Sequence, residues 1–228
     1  MILTDNMIRA AVSAGTVKIE PFDAAQIQPA SYDLRIGPVA AVSSIHGKVD
    51  VEANGFLEMT PGDFAIVVSE ETITLDNQHT GRFGLRSKWA RKGLIATTGP
   101  QIDPGFTGRL NIGLTNLTSK NIALSHLDDF LTVEFHKLSE PAKVPYSGVY
   151  QNQSSLSNED LETVLEREVM SLSEMNTTLR ALTASVNGME KAIASIERSI
   201  SSMRWFVGAG IGSMGVGIAI IAVITGLK

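Results

Sequence analysis

Several short strand-like runs fill about the first 150 residues, and they restrict the fold more than any other feature of the chain. The clearest are FAIVVS, RLNIGLTNLT and FLTVEFHKL. In the third run, Leu131, Val133 and Phe135 share one face, because successive side chains of an extended strand point to opposite sides. Turn signals rich in glycine and proline separate the runs. This arrangement predicts a mainly β fold, a barrel or a sandwich.

Composition excludes several kinds of site. The 228 residues include no cysteine, so disulfides, thiolate nucleophiles and cysteine-ligated metals are ruled out. The four histidines are scattered without the close spacing of a metal site. The N-terminus lacks the basic and apolar segments of a signal peptide and instead predicts a short helix capped at Thr4 or Asp5.

Residues 154–203 follow a different periodicity, with apolar side chains at alternating steps of four and three. The seam starts at Leu161 and continues for about six repeats, broken only by Glu168. It predicts a long α-helical coiled coil, and its consecutive isoleucines favour three or more strands over two. A single amphipathic helix lying on the first domain is the alternative, although such a helix usually has a wider apolar stripe. The other seam residues are Leu165, Leu172, Met175, Leu179, Leu182, Val186, Met189, Ile193, Ile196, Ile200 and Met203.

The C-terminal segment, residues 204–228, contains an uncharged apolar run from Trp205 to Leu227. Its length is sufficient for a helix that crosses a bilayer, so we predict a single C-terminal transmembrane anchor through 205–227. A helix buried in a soluble core is the alternative. Basic residues on the N-terminal side, such as Lys191, favour a cytoplasmic location for the N-terminal domain, residues 1–153.

Two clusters of the first domain carry candidate chemistry. RSKWAR groups Arg86, Lys88 and Arg91 with the hydroxyl of Ser87, and such donors suit a phosphate chain. A solvated basic face would have the same composition. Asp103, in QIDPGF, could orient a water molecule or a sugar hydroxyl. An Asp-Pro-Gly turn also favours aspartate for backbone reasons alone.

Five segments resemble, in the same order, the motifs of the dCTP deaminase and dUTPase superfamily. They are QPASYDLRIG, FLEMTPGDF, RSKWARKGL, IDPGFTGRL and PYSGVYQNQ, and together they span nearly all of residues 1–153. The resemblance implies a dUTPase-like β fold, a homotrimer with pockets between neighbouring subunits, and a dUTP or dCTP ligand accompanied by Mg²⁺. We expect no nucleic-acid partner.

The resemblance also implies roles for individual residues on the phosphate side of the site. Arg86 and Ser87 resemble the phosphate-binding pair of the family, with Lys88 and Arg91 beside them in the same motif. Asp33, in the first motif, resembles the residue that approaches the metal through water.

On the sugar and base side, Asp103 resembles the aspartate that contacts the deoxyribose and, in dUTPases, positions the attacking water. Phe106 would stack beneath the sugar. Gln101 belongs to the turn that reads the base, and Gln153 resembles a residue of the C-terminal lid.

Departures from the family pattern leave four functions open. Gly113 stands where dCTP deaminases carry a glutamate that shuttles protons, which disfavours deamination. Pro100 in the base-binding turn, Thr132 in place of a glutamine and the missing glycine-rich arm differ from dUTPases. Because Gly113 disfavours deamination, we expect a membrane-anchored dUTP diphosphatase. The alternatives are a non-catalytic nucleotide sensor that signals through the coiled coil, a dCTP deaminase, and a structural scaffold.

Overall fold

The computed structural model describes residues 1–166, 177–198, 200 and 226, and the chain divides into two compact units, Met1–Glu174 and Met175–Lys228. The first unit is mainly β, as predicted. Its helices are α1 (Asp5–Ala14), α2 (Val51–Asn54), α3 (Ser87–Ala90) and α4 (Asn158–Glu166). Its strands are β1 (Val17–Glu20), β2 (Ile27–Gln28), β3 (Ser31–Val42), β4 (Gly47–Asp50), β5 (Phe56–Met59), β6 (Phe64–Leu75), β7 (His79–Leu85), β8 (Leu94–Ala96), β9 (Gln101–Ile102), β10 (Thr107–Asn116), β11 (Ile122–Ser125) and β12 (Asp129–Lys137).

The strands form one large antiparallel sheet and a small two-stranded one. The order along the large sheet is β8-β10-β6-β3-β12-β7-β9, with β1 on β6 and both β2 and β4 on β3. The small sheet pairs β11 with β5. The strands RLNIGLTNLT, FLTVEFHKL and FAIVVS correspond to β10, β12 and the start of β6, so these three predictions are confirmed.

Strand β3 gives the large sheet its curl, because its two halves pair with different neighbours. Residues 32–35 pair with β12, whereas the second half pairs with β6 after a shift of register between Ile36 and Ala40. Gly37 lies at this shift, where a Cβ atom would be 2.7 Å from the carbonyl oxygens of Val68 and Ser69. A side chain there would force the strands apart, so the close approach requires glycine.

The core of the first unit lies inside the curled sheet. Leu131, Val133 and Phe135 are fully buried, as their alternation predicts. Helix α1 covers one side and adds Ile8 to the same core. It begins at Asp5, with Thr4 in the N-cap position, although the Thr4 side chain makes no capping hydrogen bond.

In the second unit, residues 177–198 are helical, as the heptad pattern predicts. The described seam side chains of this unit are exposed by 47–64%. Their pairing in a coiled coil stays a prediction. No helix within the described ranges has the length and apolar character needed to cross a membrane. The predicted transmembrane segment 205–227 lies outside the described residues, apart from residue 226, and the boundaries at 153 and 203 also stay predictions.

Candidate functional site

One cavity, which we call the first cavity, has a volume of about 590 Å³. It lies between the segment from β8 to β9, strand β10 and the chain that follows β12. Its walls combine apolar side chains such as Phe64 and Ile112 with polar groups from Thr98, Asp103 and Gln153. This mixture is typical of a small-molecule site, where a few polar groups orient a ligand on an apolar surface.

A tight turn places Asp103 in the wall of the first cavity. The backbone N–H of Phe106 donates to the Asp103 carbonyl oxygen at 3.1 Å, and Gly105 adopts a φ of 85°. With Pro104 before this glycine, the sequence fits a type II turn, which requires positive φ at its third position. Gln101 Nε2 donates to Asp103 Oδ1 at 2.6 Å. The turn and this hydrogen bond together orient the carboxylate.

The aromatic floor of the first cavity comes from the turn before β10 and from the chain that follows β12. Phe106 is buried, and its ring meets the Tyr146 ring edge-on at 5.8 Å between centroids. Gln153 is fixed against β10, because its backbone oxygen accepts from Arg109 N at 2.8 Å and its Nε2 donates to Arg109 O at 2.6 Å. The chain that follows β12, which includes Tyr146 and Gln153, is therefore part of the cavity wall.

Gly113 lies in the same wall with its backbone tied to the neighbouring loop. Its N–H donates to Thr98 Oγ1 at 2.8 Å, and its carbonyl oxygen accepts from Thr97 N at 2.9 Å. A Cβ atom on Gly113 would overlap Thr97 Oγ1 and lie 3.1 Å from the Phe64 ring. A carboxylate side chain at this position therefore requires the Thr97 side chain and the Phe64 ring to shift.

The second cavity is smaller, about 300 Å³, and its lining residues include Arg86, Ser87, Lys88 and Asp33. Arg86 Nη1 lies 2.8 Å from Asp33 Oδ2 and also 2.8 Å from Asp129 Oδ2. The guanidinium is thus held between two carboxylates, and its remaining donors are available to an anion.

Asp33 is almost fully buried in the second cavity. Burial raises the pKa of Asp33 above its ordinary value, although a hydrogen bond from Thr132 and the charge of Arg86 both lower it. Thr132 Oγ1 donates to Asp33 Oδ1 at 2.6 Å. These contacts fix both carboxylate oxygens in place, and the predicted role of Asp33 beside Mg²⁺ stays a prediction. The described residues contain no cluster of three or more His, Asp or Glu side chains suited to a metal ion.

Trp89 explains why the basic motif keeps its position. This side chain is buried, and its Nε1 donates to the Asp129 carbonyl oxygen at 2.9 Å. Lys92 Nζ lies 4.5 Å from the centroid of the Trp89 ring, at a distance where the cation is attracted to the aromatic face. Arg91 is exposed and lines neither cavity, so its predicted role in binding has no support from the geometry.

Comparison with known proteins identifies the family. The profile of the family described as "dCTP deaminase-like" matches residues 2–138. This chain belongs to the dCTP deaminase-like family. The dCTP deaminase of Thermococcus sibiricus is 37% identical over 157 residues, which cover 68% of this chain and 95% of the relative. The "dCTP deaminase, dUMP-forming" of Salinispora arenicola is 33% identical and is covered to 87% of its length.

A solved structure shares the fold. The 2'-deoxycytidine 5'-triphosphate deaminase from Agrobacterium tumefaciens aligns with a TM-score of 0.52 at 22% sequence identity. The alignment covers 60% of this chain and 47% of the other, so it spans about half the length of that protein. The β domain of this dCTP deaminase-like chain therefore has a known architecture.

The predicted site residues fall into two separate groups. Gln101, Asp103, Phe106 and Gln153 line the first cavity. Arg86, Ser87, Lys88 and Asp33 line the second, and the two cavities have no lining residue in common. Within one copy of this dCTP deaminase-like domain, the groups predicted for phosphate and for sugar are thus not in the same cavity.

Among the residues that were not predicted are Asn111 and Asp160 in the wall of the first cavity, and Asp129, which pairs with Arg86. Asp129 was visible in the sequence as part of an acidic pair before a strand. Asn111 occupies the polar position between Leu110 and Ile112, and Asp160 follows a serine at the spacing of a helix cap. These signals indicate local structure, but none of them indicates proximity to a ligand.

Proposed function

We propose that this chain binds a deoxypyrimidine triphosphate and hydrolyses dUTP to dUMP and pyrophosphate. One observation carries the choice of reaction: the first cavity presents an oriented carboxylate at Asp103 and none at Gly113, where an added side chain would meet Thr97 and Phe64. Deamination of a cytosine ring needs a group that transfers protons at the ring, as the resemblance assigns to a glutamate at the position of Gly113. Hydrolysis of the phosphate chain needs a base for water, which Asp103 supplies.

In the proposed reaction, Asp103 accepts a hydrogen bond from a water molecule and takes its proton. The water oxygen forms a bond to the α-phosphorus while the bond from this phosphorus to the bridging oxygen breaks. Pyrophosphate leaves with the electron pair of that bond. Gln101 keeps the Asp103 carboxylate oriented. Arg86, Lys88 and Ser87 hold the charged oxygens of the phosphate chain.

The separation of the two cavities supports a nucleotide site that is shared between neighbouring subunits. Since the two cavities have no lining residue in common, we propose that one nucleotide contacts the first cavity of one subunit and the second cavity of its neighbour. The homotrimer that the superfamily resemblance implies would allow this. The exposed heptad side chains of residues 177–198 support a coiled coil between the same subunits.

We also propose that the segment 205–227 tethers this trimer to a membrane, with the nucleotide-binding domains in the cytoplasm. The basis is the length and lack of charge of the segment. Mg²⁺ is expected to arrive with the triphosphate and to be held by phosphate oxygens, since it commonly binds through substrate phosphates and few protein groups.

A nucleotide sensor is the second candidate, and the placement of α4 favours it. Val164 of α4 is buried against Phe64 and Ile66, which also line the first cavity. A helix that shares the wall of a ligand cavity is suited to report its occupancy. In this function, binding of the nucleotide matters and its hydrolysis does not.

A nucleotide panel distinguishes these functions. The full-length protein in detergent is incubated with dUTP or dCTP and Mg²⁺, and pyrophosphate, ammonia and binding heat are measured. We expect pyrophosphate from dUTP and no ammonia from dCTP. Tight binding of dUTP without pyrophosphate release favours the sensor. Ammonia release from dCTP, the activity for which the relatives are named, contradicts the proposed reaction.

A further inference from the structure

Helix α4 is fixed at the rim of the first cavity by its own N-terminal cap. Asp160 N donates to Ser157 Oγ at 3.0 Å, and Ser157 N donates to Asp160 Oδ2 at 2.8 Å. This reciprocal pair fixes the first turn of the helix. Asp160 lines the first cavity, and Val164, one turn later, packs on Phe64 and Ile66 of its wall. Docking of α4 and the shape of the cavity therefore depend on the same residues.

Asn111 connects the cavity to this cap. Its Nδ2 donates to Asp160 Oδ2 at 2.8 Å and to the Ser155 carbonyl oxygen at 3.2 Å. Both partners are acceptors, so the amide nitrogen must face them and the amide oxygen must face away. Within the described residues, the buried Asn111 Oδ1 has no hydrogen-bond partner.

A buried acceptor without a donor is unfavourable, and a ligand can supply the missing hydrogen bond. We propose that a deoxynucleotide in the first cavity donates a hydrogen bond to Asn111 Oδ1, once a small shift of this side chain exposes the enclosed oxygen, and thereby strengthens the docking of α4. The donor is an N–H of the base or the hydroxyl of the sugar. The ligand fixes the Asn111 amide in the orientation that holds Asp160, and polarisation of the amide strengthens that second bond. This inference rests on the proposed nucleotide binding and adds its regulation.

The coupling has a consequence for the helical part of the chain. Leu161, the first residue of the heptad seam, packs beside Phe64 and Val164 when α4 is docked. Nucleotide binding thus keeps Leu161 packed on the domain. When the nucleotide leaves, the Leu161 side chain becomes available to the heptad seam of the predicted coiled coil. Linkage requires the effect to be reciprocal, so weaker docking of α4 also weakens nucleotide binding by the same factor.

Hydrogen–deuterium exchange of the full-length protein tests the coupling. The backbone amides of residues 158–166 are followed with and without dUTP, while calorimetry on the same sample measures binding. We expect dUTP to slow their exchange between about 5- and 100-fold, the usual range of coupling between sites. If dUTP binds and exchange is unchanged or faster, the coupling is wrong and the proposed binding stands. If dUTP does not bind, both proposals fail.

Variants of the two residues joined by the hydrogen bond from Asn111 to Asp160 distinguish coupling from misfolding. Asp160→Ala, which leaves Asn111 in the cavity, should weaken dUTP binding about 5-fold or more and accelerate exchange in α4. Asn111→Ala should weaken binding and remove the response of α4 to dUTP. Glu162→Ala is the matched control, because Glu162 is an exposed acidic residue of the same helix. An equal effect of Glu162→Ala and Asp160→Ala would overturn the proposal.

Two analogues identify the donor. The dideoxy analogue of dUTP lacks the sugar hydroxyl, and the N3-methyl analogue lacks the ring N–H. The analogue without the relevant donor should bind without slowing exchange in α4, which supports the proposal and assigns the group. If both analogues slow exchange as much as dUTP does, the hydrogen bond to Asn111 Oδ1 is contradicted.

Discussion

The two cavities differ in how their charged groups are satisfied. In the second cavity Arg86 lies between Asp33 and Asp129, and Thr132 donates to Asp33. In the first cavity the hydrogen bond described for the Asp103 carboxylate comes from Gln101. The charges of the second cavity therefore contribute to the stability of the domain, whereas Asp103 contributes little to it and remains available for chemistry.

This difference predicts that removing the charged group of the first cavity, Asp103, changes activity at nearly constant stability. Substitutions in the second cavity should change the free energy of unfolding, in a manner that depends on pH. The four experiments below test this separation, beginning with the largest expected effect.

Asp103→Asn should lower the rate of pyrophosphate release from dUTP about 10³-fold, because the variant cannot accept the proton of the attacking water. The free energy of unfolding should change by less than about 0.5 kcal/mol, as at other surface positions. Steady-state kinetics and urea denaturation measure the two quantities. Glu140→Gln, at an exposed carboxylate, is the control. A loss of activity below tenfold would show that Asp103 is not the base.

Arg86→Ala should destabilise the domain by about 3 kcal/mol at neutral pH, because it leaves the buried Asp33 carboxylate without its cation. Burial raises the pKa of Asp33, and Arg86 opposes this rise, so the pKa increases further in the variant. When the pKa of a carboxyl group is higher in the folded than in the unfolded state, its protonation stabilises the folded state, and this contribution is complete at pH values below the ordinary pKa. That contribution is lost as pH rises through the folded pKa.

The destabilisation by Arg86→Ala should therefore be smaller in acid than at neutral pH. Urea denaturation at an acidic and at a neutral pH measures the difference. Arg91→Ala, at an exposed arginine of the same motif, is the control and should have little effect. Addition of Asp33→Asn to Arg86→Ala should recover part of the stability. An Arg86→Ala variant as stable as the original protein at neutral pH would remove the contrast between the two cavities.

Gly113→Glu should destabilise the domain by about 2 kcal/mol through overpacking and should release no ammonia from dCTP. The new side chain meets Thr97 and Phe64, so its carboxylate reaches a working position only if these two side chains shift. Gly84→Glu is the matched control, because a Cβ atom on Gly84 meets nothing within 4 Å. Ammonia release by Gly113→Glu would show that the first cavity is a deaminase site that lacks one side chain.

Thr132→Val should destabilise the domain by about 1.5 kcal/mol, because it removes a hydrogen bond to a buried charged group. Thr132 lowers the pKa of Asp33, so this loss should also be larger at neutral pH than in acid. Urea denaturation at both pH values measures it, and Thr115→Val on β10 is the control. An effect of the same size at both pH values would mean that the protonation state of Asp33 does not change between them.

The elements predicted from sequence are those with a local signal. The alternation of apolar and polar residues identified β10 and β12, because burial of one face of a strand requires an apolar side chain at every second position. The helix of residues 177–198 was predicted in the same way, from a heptad period. The chemical character of Arg86 and Asp103 was also evident, since guanidinium donors and a turn-bound carboxylate suit phosphates and water.

Sequence alone therefore determined the mainly β class, the helical continuation and the family to which the chain belongs. Tertiary structure decided which side chains meet. Thr132 reaches Asp33 across 99 positions of the chain, and Asn111 reaches Asp160 across 49. The curl of β3 at Gly37 and the division of the site into two cavities also depend on such contacts. The physical reason is that a repeating pattern reports which face of an element is buried, whereas the partner of a buried polar group depends on how distant elements pack.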